Sequence, residues 1–302
     1  MNIKNLIRSI IYKVTPSWIY YRIAFLIKKK RLKKANSILL NSNKSVSIFN
    51  ILKKKKNNKK VFIFGSGSSI NELTYKNYDE ISKHCSIGIN MWVFHKFVTN
   101  YYMIELTNDK NLNDKYRSKI LSLLKNKLKQ PIFLINKSPS VSVNTQNWSK
   151  GMNSKRVFLY EYIRPDVFKK NIINEFEKTI NFLFKKIKNS NVLTLGIGAS
   201  VERAISLSLL LGYAKIIILG IDIKNTKYFW SSKDKNFKGL ETGQKVTGPH
   251  LTSIKRFGGM KVQKSILILE KLARKKFNSR ILISTNKSLL SKKLEKYEWK
   301  NK

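Results

Sequence analysis

"KKVFIFGSGSSINEL", residues 59–73, carries the pattern on which the fold reading rests. A short, nearly unbroken apolar run reads as a strand buried on both faces, and a glycine–serine turn then leads into an amphipathic segment. Gly65 and Gly67 would place backbone N–H groups at a helix start, where anions are commonly held. The turn lacks the third glycine of a dinucleotide fingerprint, and no Lys-Ser/Thr pair follows as in a P-loop. Taken alone it is either a phosphate-proximal turn or an ordinary tight connection.

Downstream, the same kind of run recurs between helical stretches. "SIGINMWVF" (86–94), "NYYMIEL" (100–106) and "PIFLIN" (131–136) read as strands, with "RVFLYEY" (156–162) as a candidate fifth. "EFEKTINFLFKKI" (175–187) and "GASVERAISLSLLLGY" (198–213) have helical spacing, and "KIIILGID" (215–222) and "RILIST" (280–285) close the series. Strands separated by helices predict an α/β fold: a Rossmann-like, mostly parallel sheet with flanking helices. To this the sequence adds a basic amphipathic N-terminal extension and a lid-like insertion around the polar, glycine-bearing stretch after Tyr228-Phe229-Trp230. If not a lid, that aromatic cluster is a core plug. The domain division is residues 1–60, a basic amphipathic membrane-associating segment, and residues 61–302, the Rossmann-like domain.

The chain's 61 Lys and Arg against 17 Asp and Glu give a formal charge of +44, which favours anionic partners. Seventeen of the cations lie in the first sixty residues, and the first acid is Glu72. The apolar run "LIRSIIYKVTPSWIYYRIAFLI" is broken by Arg8, Lys13, Pro16 and Arg22, against a membrane-spanning helix of about 20 apolar residues. Two short amphipathic helices are expected instead, with Trp18, Tyr20 and Tyr21 at the boundary and "KKKRLKK" and "KKKKNNKK" following. Aromatics beside lysine clusters suit an anionic membrane surface, at about 1 kcal/mol per basic residue. A solvated tail and a nucleic-acid contact are the competing readings.

One cysteine, Cys85, excludes an intramolecular disulfide and any multi-cysteine metal site, and fits a reducing cytoplasm. Three histidines, His84, His95 and His250, leave little from which to build a zinc centre. His84 and His95 read as packed or structural. His250, in the Gly/Pro-bounded loop "TGPHLTS", is either a general base or a loop histidine without a catalytic role.

The ordered set "GSGSSINEL", "GINMWVFHKF", "GASVERAISLSLLLGYAKIIILGIDI" and "HLTSIKRFGGMKVQKSILILEKLARK" resembles glycosyltransferase family 42, the bacterial sialyltransferases. More distantly it is similar to the MAF/DUF115 proteins, over roughly residues 60–292. The resemblance implies transfer of a nonulosonic acid (sialic-acid-like) from a CMP-sugar, with inversion and with neither cofactor nor metal. It places Gly65, Ser66, Gly67, Ser69, Asn90, Ser200 and Asp222 at the nucleotide-sugar site. It puts the catalytic base ahead of the long helix "KVQKSILILEKLARK", at His250 if a local gap is allowed, since an ungapped alignment puts Phe257 there. The family's two leaving-phosphate tyrosines fall near Lys224 and Trp230, so Lys224, Lys227 or Tyr228 would serve in their place. Asp222 is otherwise a cap on the turn that follows it, and Glu105 a possible site-facing acid.

Such chemistry needs donors at a departing phosphate and one base for the acceptor hydroxyl. No Asp-x-Asp triplet for a metal occurs in the chain. The expected partners are a CMP-activated sugar, a lipid-linked oligosaccharide acceptor of lipooligosaccharide or capsule type, and an anionic membrane surface, with no nucleic acid. The expected location is peripheral, on the cytoplasmic face of the inner membrane. A pterin pyrophosphokinase of the DUF115 kind would instead need Mg²⁺ and clustered carboxylates, and a nucleic-acid-binding protein would carry its basic runs on the folded domain.

Overall fold

The computed structural model describes residues 16–40, 48–54, 59–125, 131–137, 156–165, 171–187, 192–223, 228–229 and 260–300. Among the described residues, α1 (Ser17–Leu40) and α2 (Ile48–Lys54) precede the first strand. Then follow β1 (Lys60–Phe64), α3 (Tyr75–Ser82), β2 (Cys85–Ile89), β3 (Tyr101–Leu106), α4 (Lys110–Lys125), β4 (Ile132–Lys137), β5 (Val157–Leu159) and β6 (Glu161–Ile163). The chain continues through α5 (Ile172–Lys186), β7 (Val192–Leu195), α6 (Ser200–Leu210), β8 (Lys215–Leu219), α7 (Val262–Phe277) and β9 (Arg280–Ile283).

Seven strands form one sheet in the order β5-β4-β3-β2-β1-β8-β9, every neighbouring pair parallel. The expected Rossmann-like α/β architecture is therefore observed. Val61 to Phe64 of β1 and Ile216 to Leu219 of β8 are fully buried, as the unbroken apolar runs require of central strands covered on both faces. From β1 the order runs through β2 to one side and jumps to β8 on the other. That reversal leaves a crevice at the carboxyl ends of β1 and β8, the usual ligand position in open α/β sheets.

"RVFLYEY" is not one strand. It divides at Tyr160: β5 closes the large sheet, whereas β6 pairs with β7 in a separate two-stranded parallel sheet. Tyr160 still donates its amide to Ile135 O at 2.9 Å, so the switch between sheets occurs within a single residue. A continuous apolar run conceals this, because both halves are buried.

Of the two short helices expected near the N-terminus, the part before Pro16 lies outside the described residues, and the part after it belongs to a longer helix. Pro16 stands just before the helix, where its missing N–H costs nothing, and α1 then runs unbroken through the basic stretch. Lys, Arg and Leu are good helix formers, so clustered charge alone does not end it. Tyr21, Phe25 and Leu32 are buried on one side of α1, each burial stabilising by roughly 1.5–3 kcal/mol. Tyr21 donates its hydroxyl to Glu175 Oε2 at 2.6 Å, and Lys28 and Arg31 lie 2.9 and 3.4 Å from the buried Glu161. The N-terminal helix thus contributes to the same core as the sheet. No described helix is long and apolar enough to cross a membrane.

Candidate active site

A cleft of about 230 Å³ lies where the strand order reverses, between the turn after β1, the ends of β2, β3 and β8, and the start of α6. Gly65, Ser66, Gly67, Asn90, Ser200, Asp222 and Tyr228 all line it, together with Glu105. Ser69 does not line it, but bonds to Asp222, which does. Lys224, Lys227, Trp230 and His250 lie outside the described residues, as does most of the lid-like insertion.

The glycine turn is sewn to β8. Gly65 N donates to Leu219 O and Gly67 N to Gly220 O, both at 2.8 Å. A Cβ on Gly65 would sit 2.5 Å from Gly220 O, and one on Gly67 would sit 2.4 Å from Asp222 Oδ2. Close backbone approach is thus what demands glycine here. Asp222 then takes the start of the short 3-10 helix Ser68–Glu72: its Oδ2 accepts the Ser69 amide at 3.0 Å, and its Oδ1 accepts the Ser69 hydroxyl. The two amides expected to face an anion, Gly65 and Gly67, thus donate to backbone carbonyls, and the Ser69 amide after them to a carboxylate of the chain.

The same device recurs before α6. Glu202 Oε2 accepts the amides of Ile197, Gly198 and Ala199 at 2.7, 3.0 and 3.2 Å, and its Oε1 accepts the Ser265 hydroxyl. A carboxylate suits the positive end of a helix dipole, and here it also satisfies the three amides that lead into α6. No Lys or Arg lines the cleft among the described residues, so positive charge for a phosphate there would have to come from elsewhere in the chain.

Across the cleft, Asn90 follows β2 directly in a left-handed conformation, φ +49°. Its Oδ1 accepts the Glu105 amide at 2.9 Å and its Nδ2 donates to Ser200 Oγ at 3.2 Å. Ser200 Oγ in turn donates to Glu105 Oε2 at 3.2 Å. Behind Glu105 stands Arg203, which is 1% exposed, with Nη2 3.2 Å from Oε1 and Nη1 3.0 Å from Oε2. Its guanidinium carbon lies 4.0 Å from the Tyr162 ring centroid, a cation–π contact. Burial works against that charge, but Glu105, Tyr160 and Tyr162 outweigh it and hold the guanidinium above its ordinary pKa. Glu105 is therefore held in place by Arg203, Ser200 and Asn90, with its carboxylate on the cleft wall.

Tyr228 crosses the glycine turn as an antiparallel bridge to Gly67, and burial raises its hydroxyl pKa, so it remains a donor at neutral pH. Phe229 is fully buried against Trp92 and His95, at ring separations of 5.5 and 5.3 Å, and its amide bonds Ser66 O at 3.0 Å. Of the two readings of this aromatic cluster, Phe229 follows the core plug. His95 stacks on Trp92 at 4.0 Å, accepts the Phe97 amide at Nδ1, and is driven by burial to a pKa of about 4. It is packed, as its aromatic surroundings implied.

Sequence reasoning passed over Arg203 and Glu202. The signal was present: a charged pair inside "GASVERAISLSLLLG", whose helix α6 is buried all round, requires internal partners. Ile223, a β-branched residue at φ +59° on the cleft wall, had no sequence signature.

Neither a protein-family profile nor a curated protein matches the chain. Among solved structures, it is similar to the monofunctional alpha-2,3-sialyltransferase Cst-I from Campylobacter jejuni. The two share 16% sequence identity with a TM-score of 0.48, over 80% of this chain and 81% of that one.

Proposed function

We propose that this chain is an inverting, metal-independent glycosyltransferase that moves a nonulosonic acid from a CMP-sugar to a lipid-linked surface glycan. The observation that carries the reading is convergence. Residues 65–67, Asn90, Ser200, Asp222 and Tyr228, drawn from five separate stretches, meet in one cleft at the sheet's switch point.

In this reading the bond from the anomeric carbon to the phosphate oxygen breaks and CMP departs. The acceptor oxygen forms the new bond, and His250 takes its proton. Tyr228 donates its hydroxyl to the leaving phosphate, and Lys224 brings the positive charge that the described cleft wall lacks. Asn90, Ser200 and Glu105 form a polar wall suited to sugar or ribose hydroxyls. Asp222, committed to Ser69, shapes the turn. The basic residues of 1–60 hold the enzyme on the inner leaflet, where such an acceptor is made.

Calorimetry of CMP against UMP, GMP and ATP, with EDTA present, tests this for wild type and His250→Ala. CMP-selective binding that survives the substitution while turnover is lost is the expected result. Absence of a CMP preference, or binding only of ATP with Mg²⁺, would overturn the reading and favour a pyrophosphokinase.

A further inference from the structure

With so many cations on the chain, pairing is what distinguishes one from another. On α1, Lys28 and Arg31 face Glu161, and on α5, Lys178 faces Glu175 at 3.0 Å. Arg22, Lys29, Lys185 and Lys186 face no carboxylate among the described residues. These four surround one groove between α1 and α5, with Phe25, Leu26 and Phe182 as its apolar lining. Phe25 and Phe182 meet edge to face at 5.5 Å.

Beside the groove, Trp18, Arg22, Leu26 and Lys29 recur at helical spacing as a single stripe along α1. Trp18 is 62% exposed and Leu26 56%, and their neighbours Ile23 and Ile27 are 51% and 55% exposed. Large apolar side chains grouped with unpaired cations complement a surface that is anionic outside and apolar just beneath. Nucleic acid would leave the aliphatic residues in water, whereas a bilayer with acidic headgroups satisfies both sets.

We propose that this composite face of α1 and α5 is where the folded domain rests on an anionic bilayer. Arg22, Lys29, Lys185 and Lys186 meet lipid phosphates while Trp18, Ile23, Leu26 and Ile27 enter the headgroup boundary. This deepens the membrane attachment proposed above and moves part of it out of the N-terminal segment. Lys185 and Lys186 belong to the same surface although far away in sequence. The face is independent of which sugar is transferred.

The test is co-sedimentation of the full chain with phosphatidylcholine vesicles with and without phosphatidylglycerol. The expected result is phosphatidylglycerol-dependent binding that weakens about fivefold for each cation removed in Lys185→Ala/Lys186→Ala and Arg22→Ala/Lys29→Ala. The control, Lys275→Ala/Lys276→Ala, removes the same charge at lysines paired with Glu177 and should bind nearly as wild type. Leu26→Ser should weaken binding without changing net charge, and matching thermal melts should show that every variant is folded. Equal weakening in all three double variants would overturn the proposal in favour of net charge alone. Lack of selectivity for phosphatidylglycerol vesicles, or a stable dimer dissolved by Leu26→Ser, would also overturn it. Nucleotide calorimetry on Lys185→Ala/Lys186→Ala keeps the two readings apart, since CMP binding should be unchanged; failure to bind CMP with vesicle binding intact sinks the donor reading alone.

Discussion

Asp222 and Ser69, 153 residues apart, are joined twice: the Ser69 amide donates to Asp222 Oδ2 at 3.0 Å, and the Ser69 hydroxyl donates to Oδ1. The pair fastens the segment after β8 to the turn after β1, and so sets one wall of the cleft at the point where the strand order reverses. A carboxylate in that position also repels a phosphate from the Ser69 amide. In the proposed reaction the donor phosphate would therefore sit beyond the Asp222 side chain rather than in the first turn of the 3-10 helix.

Asp222→Asn should cost about 1–3 kcal/mol in urea unfolding, because the new amide turns a donor toward Ser69 N–H or forfeits a charge-assisted bond. Ser69→Ala should cost less, since the backbone bond to Oδ2 remains. Equal costs would mean that the hydroxyl alone carries the contact.

Gly67→Ala should destabilise by about 1–3 kcal/mol and weaken nucleotide binding together, because its Cβ would meet both Asp222 Oδ2 and, at 2.8 Å, the backbone oxygen of Gly220. Thermal melts and calorimetry on one preparation check both effects. Binding lost at unchanged stability would place a ligand, rather than Asp222, against this glycine.

Arg203→Met should cost about 3 kcal/mol, since it leaves the partly buried Glu105 carboxylate without its cation. Adding Glu105→Gln should restore part of that loss. A double-mutant cycle by urea unfolding measures the coupling, and additive losses would mean that the pair is not energetically joined.

The buried His95 sets a pH dependence of known sign. The unfolded chain takes up this proton near pH 6.5, whereas the folded chain takes it up near its depressed pKa of about 4. Stability is therefore whole above about pH 6.5 and falls as the pH drops toward 4, by about 3 kcal/mol in all from this residue. Unfolding curves between pH 7 and 4.5 should be flatter for His95→Gln than for wild type. Parallel curves would show that His95 is not the group responsible.

Local chemistry made much of the fold legible. "KVFIF" and "KIIIL" read as central strands because strands covered on both faces are apolar at every position. The same rule blurred "RVFLYEY", where two strands in different sheets are both buried and periodicity carries no mark of the division at Tyr160. At the cleft, the resemblance picked out residues that do come together, yet the part played by Asp222 stayed open between ligand contact and cap. Asp222 lines the cleft and holds Ser69 at the start of the 3-10 helix after β1, a partner that neither reading named.

Sequence alone determined the central strands β1 to β4, β8 and β9, the glycine turn after the first strand, and the concentration of cations in the first sixty residues. These follow from patterns within one element, at spacings of two to four residues. Only the tertiary structure decided which distant groups satisfy one another: Asp222 with Ser69, Arg203 with Glu105, Glu202 with Ser265, and α1 with α5. Buried polar groups must find partners wherever the sheet order brings them, and that order sets neighbours far apart in the chain.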